Sequence, residues 1–125
     1  MDVIENVADA RPYFERTAVF LYAPERGTGM KVKVLEAFAY GIPVVTTSEG
    51  IEGLPAQDGV HVGLSDNDDG LVERTVALLG DRSCQERQRL AARELLNVCC
   101  NPQTVLDNIE DCYAGMLRRR GRRAA

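Results

Sequence analysis

The segment RGTGMKVKVLEAFAYGIPVVTT, Arg26 to Thr47, gathers the residues best suited to chemistry. Gly27 and Gly29 let a backbone approach a ligand closely. A glycine turn entering a helix after a parallel strand presents free N–H groups and the positive end of the helix dipole, which together suit a phosphate. Lys31 and Lys33 follow, and either could add positive charge to a diphosphate. The pattern is nevertheless short. Gly-Thr-Gly is neither GxGxxG nor the Walker pattern, which needs Gly-Lys-Ser/Thr after four spacer residues. By residue type alone, an ordinary strand-to-helix turn stands open beside a phosphate cradle.

Glu36 lies in an otherwise apolar helix and is followed by Ala-Phe-Ala, where an unpaired carboxylate would be costly to bury. One reading pairs it with Lys33 in an exposed i,i+3 salt bridge worth a few tenths of a kcal/mol. The other places it in the first helical turn, facing a ligand crevice and accepting hydrogen bonds from sugar hydroxyls. Composition does not choose between them. His61 is the sole histidine, so nothing completes a metal or relay site around it, and it reads as half-buried. Cys84, Cys99, Cys100 and Cys112 contain no Cys-x-x-Cys pair, and adjacent Cys99 and Cys100 point to different helix faces. They read as reduced residues of core or surface. Tyr40 reads as packing.

The elements that must hold these residues follow from hydrophobic patterning. A short helix is expected over Asp9 to Thr17, then a strand at AVFLYA (Ala18 to Ala23), whose unbroken apolar run suits a parallel strand buried on both faces. Val34, Leu35, Phe38 and Ala39 recur at helical spacing from Val32 to Tyr40, and Gly41 is placed to end that helix in a left-handed cap. Pro43 and VVTT then open a second strand. After a polar loop (Ser48 to Gly59), VHVGLS (Val60 to Ser65) reads as a third strand. Helices are expected over Asn67 to Leu79, ended by Gly80, and over Cys84 to Cys100, opened by a capping box from Ser83 to Glu86. Asn101 and Pro102 announce a last helix, ended by Gly121 and the arginines. VIENV (Val3 to Val7) is a candidate fourth strand. The alternation argues an α/β fold with a parallel, doubly wound sheet of three or four strands and a helical C-terminus.

Composition sets outer limits. The chain has 125 residues, 45% hydrophobic and 27% charged, which suits one globular domain rather than a disordered or fibrous chain. No apolar run nears the roughly 18 residues of a membrane span, and the acidic start lacks the signature of a signal peptide. The cytosol is the default expectation. The formal charge is −4, and without the five arginines at 118, 119, 120, 122 and 123 the remainder stands at −9. A body that acidic should not attract nucleic acid by counterion release. The tail, residues 118–125, reads as a solvated end with room for weak contact to an anionic membrane surface.

GTGMKVKVLEAFAYGIPVVTTSEGIEGL resembles the donor-binding segment of the retaining GT-B glycosyltransferases of "group 1" (family 4) type. It follows the subset that reads Gly-Thr-Gly-x-x-x-Lys-x-Leu-Glu-Ala-x-Ala-x-Gly-x-Pro-Val-Val. The resemblance takes in the preceding strand, the Gly-x-Glu-Gly at Gly50 to Gly53 and the late helices. It implies a partial Rossmann-like GT-B C-terminal domain over residues 1–117, and a nucleotide-diphosphate sugar as donor with no tightly bound cofactor and no metal. Gly29, Met30 and Lys31 would supply the diphosphate cradle through their backbone, Gly27 and Thr28 would belong to the same nucleotide-sugar-binding loop, Lys33 would sit beside the phosphates, and Glu36 would accept hydrogen bonds from the ribose. Much of the family carries a glutamate, contacting the transferred sugar, where this chain has Thr28. Glu49 and Glu52 flank Gly50. Because these transferases need no aspartate-held metal, Glu52 is placed at the lining of the donor pocket rather than in a metal site.

The resemblance further implies a second, N-terminal domain carrying the acceptor, and two earlier strands between the first two strands of this chain's domain. The expectation is a fragment whose sheet edge beside AVFLYA is exposed and self-associating, inactive without that other part, and with no catalytic residue assigned within it. Two alternatives stand beside it: a non-catalytic module acting through a partner, and another GT-B enzyme such as a sugar-nucleotide epimerase or a phosphorylase.

Overall fold

A computed structural model describes residues 2–24 and 31–123. The chain forms two compact units, residues 1–95 and 96–125. The first holds α1 (Arg11–Glu15), β1 (Phe20–Tyr22), α2 (Val32–Ala39), β2 (Val44–Thr46), a 3-10 helix (Ser48–Ile51), β3 (Gly63–Leu64), α3 (Asp68–Gly80) and most of α4 (Arg82–Cys99), whose last four residues fall in the second. The three strands form one parallel sheet in the order β1-β2-β3, with Phe20 opposite Val44 and Val45 opposite Gly63. Flanked by helices, this is the expected partial Rossmann-like α/β arrangement.

β2 is the centre of the core, and all three of its residues are fully buried. Side chains alternate across a strand. Val45 meets Leu71 and Leu78 of α3, with Val19 and Cys84 packed against that cluster. α2 buries Val34, Ala37 and Phe38; of the four positions expected at helical spacing, Val34 and Phe38 are buried, Leu35 is half-buried and Ala39 is exposed. Full burial of a side chain such as Phe38 is worth about 1.5–3 kcal/mol. The N–H of Val44, at the start of β2, donates to Gln88 Oε1 of α4 at 2.9 Å, so a buried amide at the strand's start is satisfied by a side chain.

The end of α2 follows from Gly41, at φ +68°, where only glycine is unstrained. Gly41 N–H donates to Phe38 O and Ile42 N–H to Ala37 O, which together make a Schellman motif. Tyr40 packs as expected, stacked on Phe14 with ring centroids 5.1 Å apart. Phe14 in turn meets Phe20 of β1 at 5.7 Å.

Several boundaries differ from the sequence expectation. The third strand shrinks to Gly63–Leu64, because the N–H groups of Val60, His61 and Val62 all turn back to Gln57 O. The candidate strand at Val3 to Val7 does not form; Asn6 has φ +54°, a kink no strand accommodates, and the stretch is exposed. Asp81, not Ser83, caps α4: its Oδ1 accepts from Cys84 N–H at 2.9 Å, while Ser83 Oγ accepts from Arg87. Gly80 lies inside the last turn of α3 rather than after it.

The second unit holds α5 (Pro102–Arg123). Asn101 Oδ1 accepts from Gln103 N–H at 2.9 Å, and Pro102 occupies the first turn as its sequence suggests. The helix continues past Gly121 to Arg123 rather than ending at the glycine, since one glycine costs a helix only about 1 kcal/mol relative to alanine. Among the described residues no helix is long and apolar enough to cross a membrane.

Candidate functional site

Parallel strands deliver their carboxyl ends to one edge of the sheet, and that edge carries the loops after β1, β2 and β3. The loop after β2 is tightly built. Thr46 Oγ1 donates to Tyr22 O at 2.6 Å, tying β2 to β1. Thr47 Oγ1 accepts from Gly50 N–H at 3.2 Å and so starts the 3-10 turn. A Cβ on Gly50 would overlap Thr46 Oγ1, so glycine is required by close approach.

The loop after β3 closes in a similar way. Ser48 gives both its N–H and its hydroxyl to Asp66, at 2.7 and 2.8 Å, joining the loops after β2 and β3. Asn67 Oδ1 accepts from Gly70 N–H at 2.8 Å and caps α3. A Cβ on Gly70 would overlap Ser65 Oγ. Asp58 takes both guanidinium nitrogens of Arg74, at 2.9 and 3.0 Å, and also accepts from Leu64 N–H, which pins β3. His61 is half-buried, its Nδ1 accepting from Gln57 N–H at 3.0 Å, so its ring closes a turn.

The start of α2 is built differently. Its N-cap is Lys31, with φ −85° and ψ 50°, and no side-chain cap bond is made there. An ammonium has no lone pair to accept an amide proton. No acidic residue occupies the first turn. The first N–H groups of α2 thus lack the capping carboxamide or carboxylate found at α3 and α4.

The sequence candidates fall into three groups. Gly27, Thr28, Gly29 and Met30 lie outside the described residues. Lys33 and Glu36 share one exposed stripe of α2, three residues apart, and no ion pair joins them among the described residues, so the simple salt-bridge reading of Glu36 is not realised. Glu36 sits in the second turn rather than the first, because the helix begins at Val32. Lys31 is different again: its side chain is 1% exposed, and its Nζ lies 3.9 Å from Glu52 Oε2. That pairing spans 21 positions and could not be read from local spacing.

Elsewhere the structure offers less. A cleft of about 450 Å³ opens at the amino ends of β1 and β2 beside Thr17, Pro43, Arg82 and Arg89. It is at the edge opposite the motif. All four cysteines are free thiols, Cys84 and Cys99 half-buried and Cys100 and Cys112 exposed.

A parallel α/β sheet that brings loops and a helix start to the carboxyl edge of its strands defines the Rossmann-like class, in which ligands bind at that edge. Residues 1–81 match the family described as Glycosyl transferases group 1, and the chain belongs to that family. Glycosyl transfer is the general activity of such proteins. No curated protein matches the chain.

Proposed function

We propose that this chain is the donor-binding portion of a retaining GT-B glycosyltransferase, holding a nucleotide-diphosphate sugar at the start of α2. One observation carries the reading: the α2 N-terminus has a lysine as N-cap, no acidic first-turn residue, and Lys33 and Glu36 exposed on one stripe behind it. An anion is stabilised at such an end by the helix dipole and by first-turn N–H groups that the Lys31 side chain does not cap. Lys33 adds a mobile cation, and Glu36 is an open acceptor for ribose hydroxyls.

In the reaction the sugar passes to an acceptor hydroxyl with its anomeric configuration retained, while the departing diphosphate is stabilised by loop amides and cations. An acceptor-binding domain faces this edge. The protein works in the cytoplasm, and its arginine-rich end could meet the inner membrane face.

Saturation-transfer NMR with UDP, GDP and ADP tests the assignment. One of the three should bind, and Glu36→Ala should weaken it about tenfold, the cost of a lost charged hydrogen bond. Binding by none, or binding unchanged in Glu36→Ala, would remove the ribose role.

A companion reading concerns β1. It has β2 on one side only among the described residues, and Leu21 is 47% exposed. A hydrophobic strand edge of this kind invites another strand, from an adjoining part of the protein or a second copy. Sedimentation should show concentration-dependent association, and a monomer with a cooperative, high melting transition would count against it.

A further inference from the structure

The two lysines at the start of α2 lie in opposite environments, and this divides their roles. Lys33 is exposed, whereas Lys31 is buried with its ammonium near the Glu52 carboxylate. Residues two apart on a helix do not share a face. Burying an ammonium is costly unless charge and hydrogen bonds compensate, and among the described residues no buried side-chain nitrogen or oxygen lacks a partner.

Glu52 is placed to act as the other end of a tie. It follows the 3-10 turn with φ −52° and ψ 127°, just before Gly53 at φ +80°. The near end of this loop is already fastened, since Gly50 N–H donates to Thr47 O at 2.9 Å and Gly50 lies against Thr46. The far end meets Lys31. Glu52 itself remains 68% exposed, and at 3.9 Å its carboxylate meets the Lys31 ammonium as a charge pair rather than as a hydrogen bond.

We infer that Lys31 is a positioning residue that fastens the loop of residues 48–53 to the N-terminus of α2, rather than a direct ligand of the donor's diphosphate. The loop after β2 and the helix end then move as one body. Lys33 is left as the exposed cation for phosphate. The consequence for donor binding rests on the function proposed above; the tie itself is measurable without any ligand.

The test uses the full chain as wild type, Lys31→Met, Glu52→Gln and the double variant. In ligand-free protein, amide hydrogen exchange should quicken about tenfold at Gly50, Glu52 and Leu54 in each single variant, with no further change in the double, while Leu71 in α3 is unaffected. Glu52 is exposed, so Glu52→Gln keeps the fold and carries the test even if Lys31→Met does not. Titration with UDP, GDP and ADP, and with the parent nucleosides, supplies the second arm. Each single variant should lower diphosphate affinity about tenfold relative to nucleoside affinity, again without additivity. Unchanged exchange at Gly50 in Glu52→Gln overturns the tie. So does a diphosphate loss confined to Lys31→Met, which would make Lys31 a direct ligand. If wild type binds no nucleotide, the proposed function fails and exchange alone decides the tie.

Discussion

α2 and α3 each follow a strand of the same parallel sheet, yet their first turns are built in opposite ways. α3 starts at Asn67, whose side chain accepts from Gly70 N–H, and it carries Asp68 and Asp69 in its first turn. Its dipole and its free amides are already answered from within the chain. α2 starts at a lysine, has no acid in its first turn and makes no side-chain cap bond. An anion arriving at α3 would meet carboxylates. At α2 it would meet N–H groups and Lys33. On the function proposed above, the difference separates a structural helix start from a ligand-holding one, and each half of that contrast can be broken.

The largest effect is expected where the structural side is tightest. Gly50→Ala would drive a methyl into Thr46 Oγ1, and the backbone of the 3-10 turn or the buried β2 strand would have to shift. Overpacking of this kind costs about 1–3 kcal/mol, and the buried position of Thr46 puts this case near the upper end. Urea unfolding should show the midpoint fall with the slope unchanged. A variant as stable as wild type would mean the loop has slack that the geometry denies.

Next in size is a change that gives α2 the character of α3. Lys33→Asp replaces the exposed cation by a carboxylate in the first turn. The helix itself should gain about 0.3–1 kcal/mol from the dipole at low ionic strength. Nucleoside diphosphate affinity should nevertheless fall by tenfold or more, on the order of 1.4 kcal/mol. Stability and affinity moving in opposite directions is the signature; calorimetric titration beside a thermal melt reads both. Equal affinity in the variant would place the phosphate elsewhere.

How much of this contrast was legible beforehand depends on how local its causes are. The Gly41 cap was readable because a glycine and a nearby proline fix the chain within a few residues. Both strands around α2 are readable from apolar runs, but only β2 is buried on both faces; among the described residues β1 lies at the sheet edge, shortened to Phe20–Tyr22 with Leu21 exposed, against the expectation for AVFLYA. The third strand was overextended, because nothing in VHVGLS signals that Gln57 O would take three successive amides. The α4 cap was misplaced by two residues: Asp81 and Ser83 are both competent, and only the backbone path selects between them. For Lys33 and Glu36 the spacing offers only an i,i+3 salt bridge, which does not form among the described residues; their phosphate and ribose roles come from the family resemblance alone. Lys31 could be named but not oriented, since its partner Glu52 comes from the loop after the next strand.

The smallest effect comes from reversing the comparison at α3. Asp68→Asn with Asp69→Asn leaves the Asn67 cap in place and removes only the first-turn charge. Each substitution should cost about 0.3–1 kcal/mol at low salt, seen as a lowered melting temperature. The loss should fade in high salt, because charges this exposed are screened over a Debye length of about 8–10 Å. No nucleoside diphosphate affinity should appear at α3, because its amides remain capped and no exposed lysine stands beside them. If the neutralised α3 did bind a diphosphate as well as α2 does, first-turn charge alone would explain the contrast. The lysine cap and the exposed Lys33 would then have no special part in it. A salt-independent destabilisation would instead point to lost hydrogen bonds, and would shift the explanation for α3 from dipole to capping.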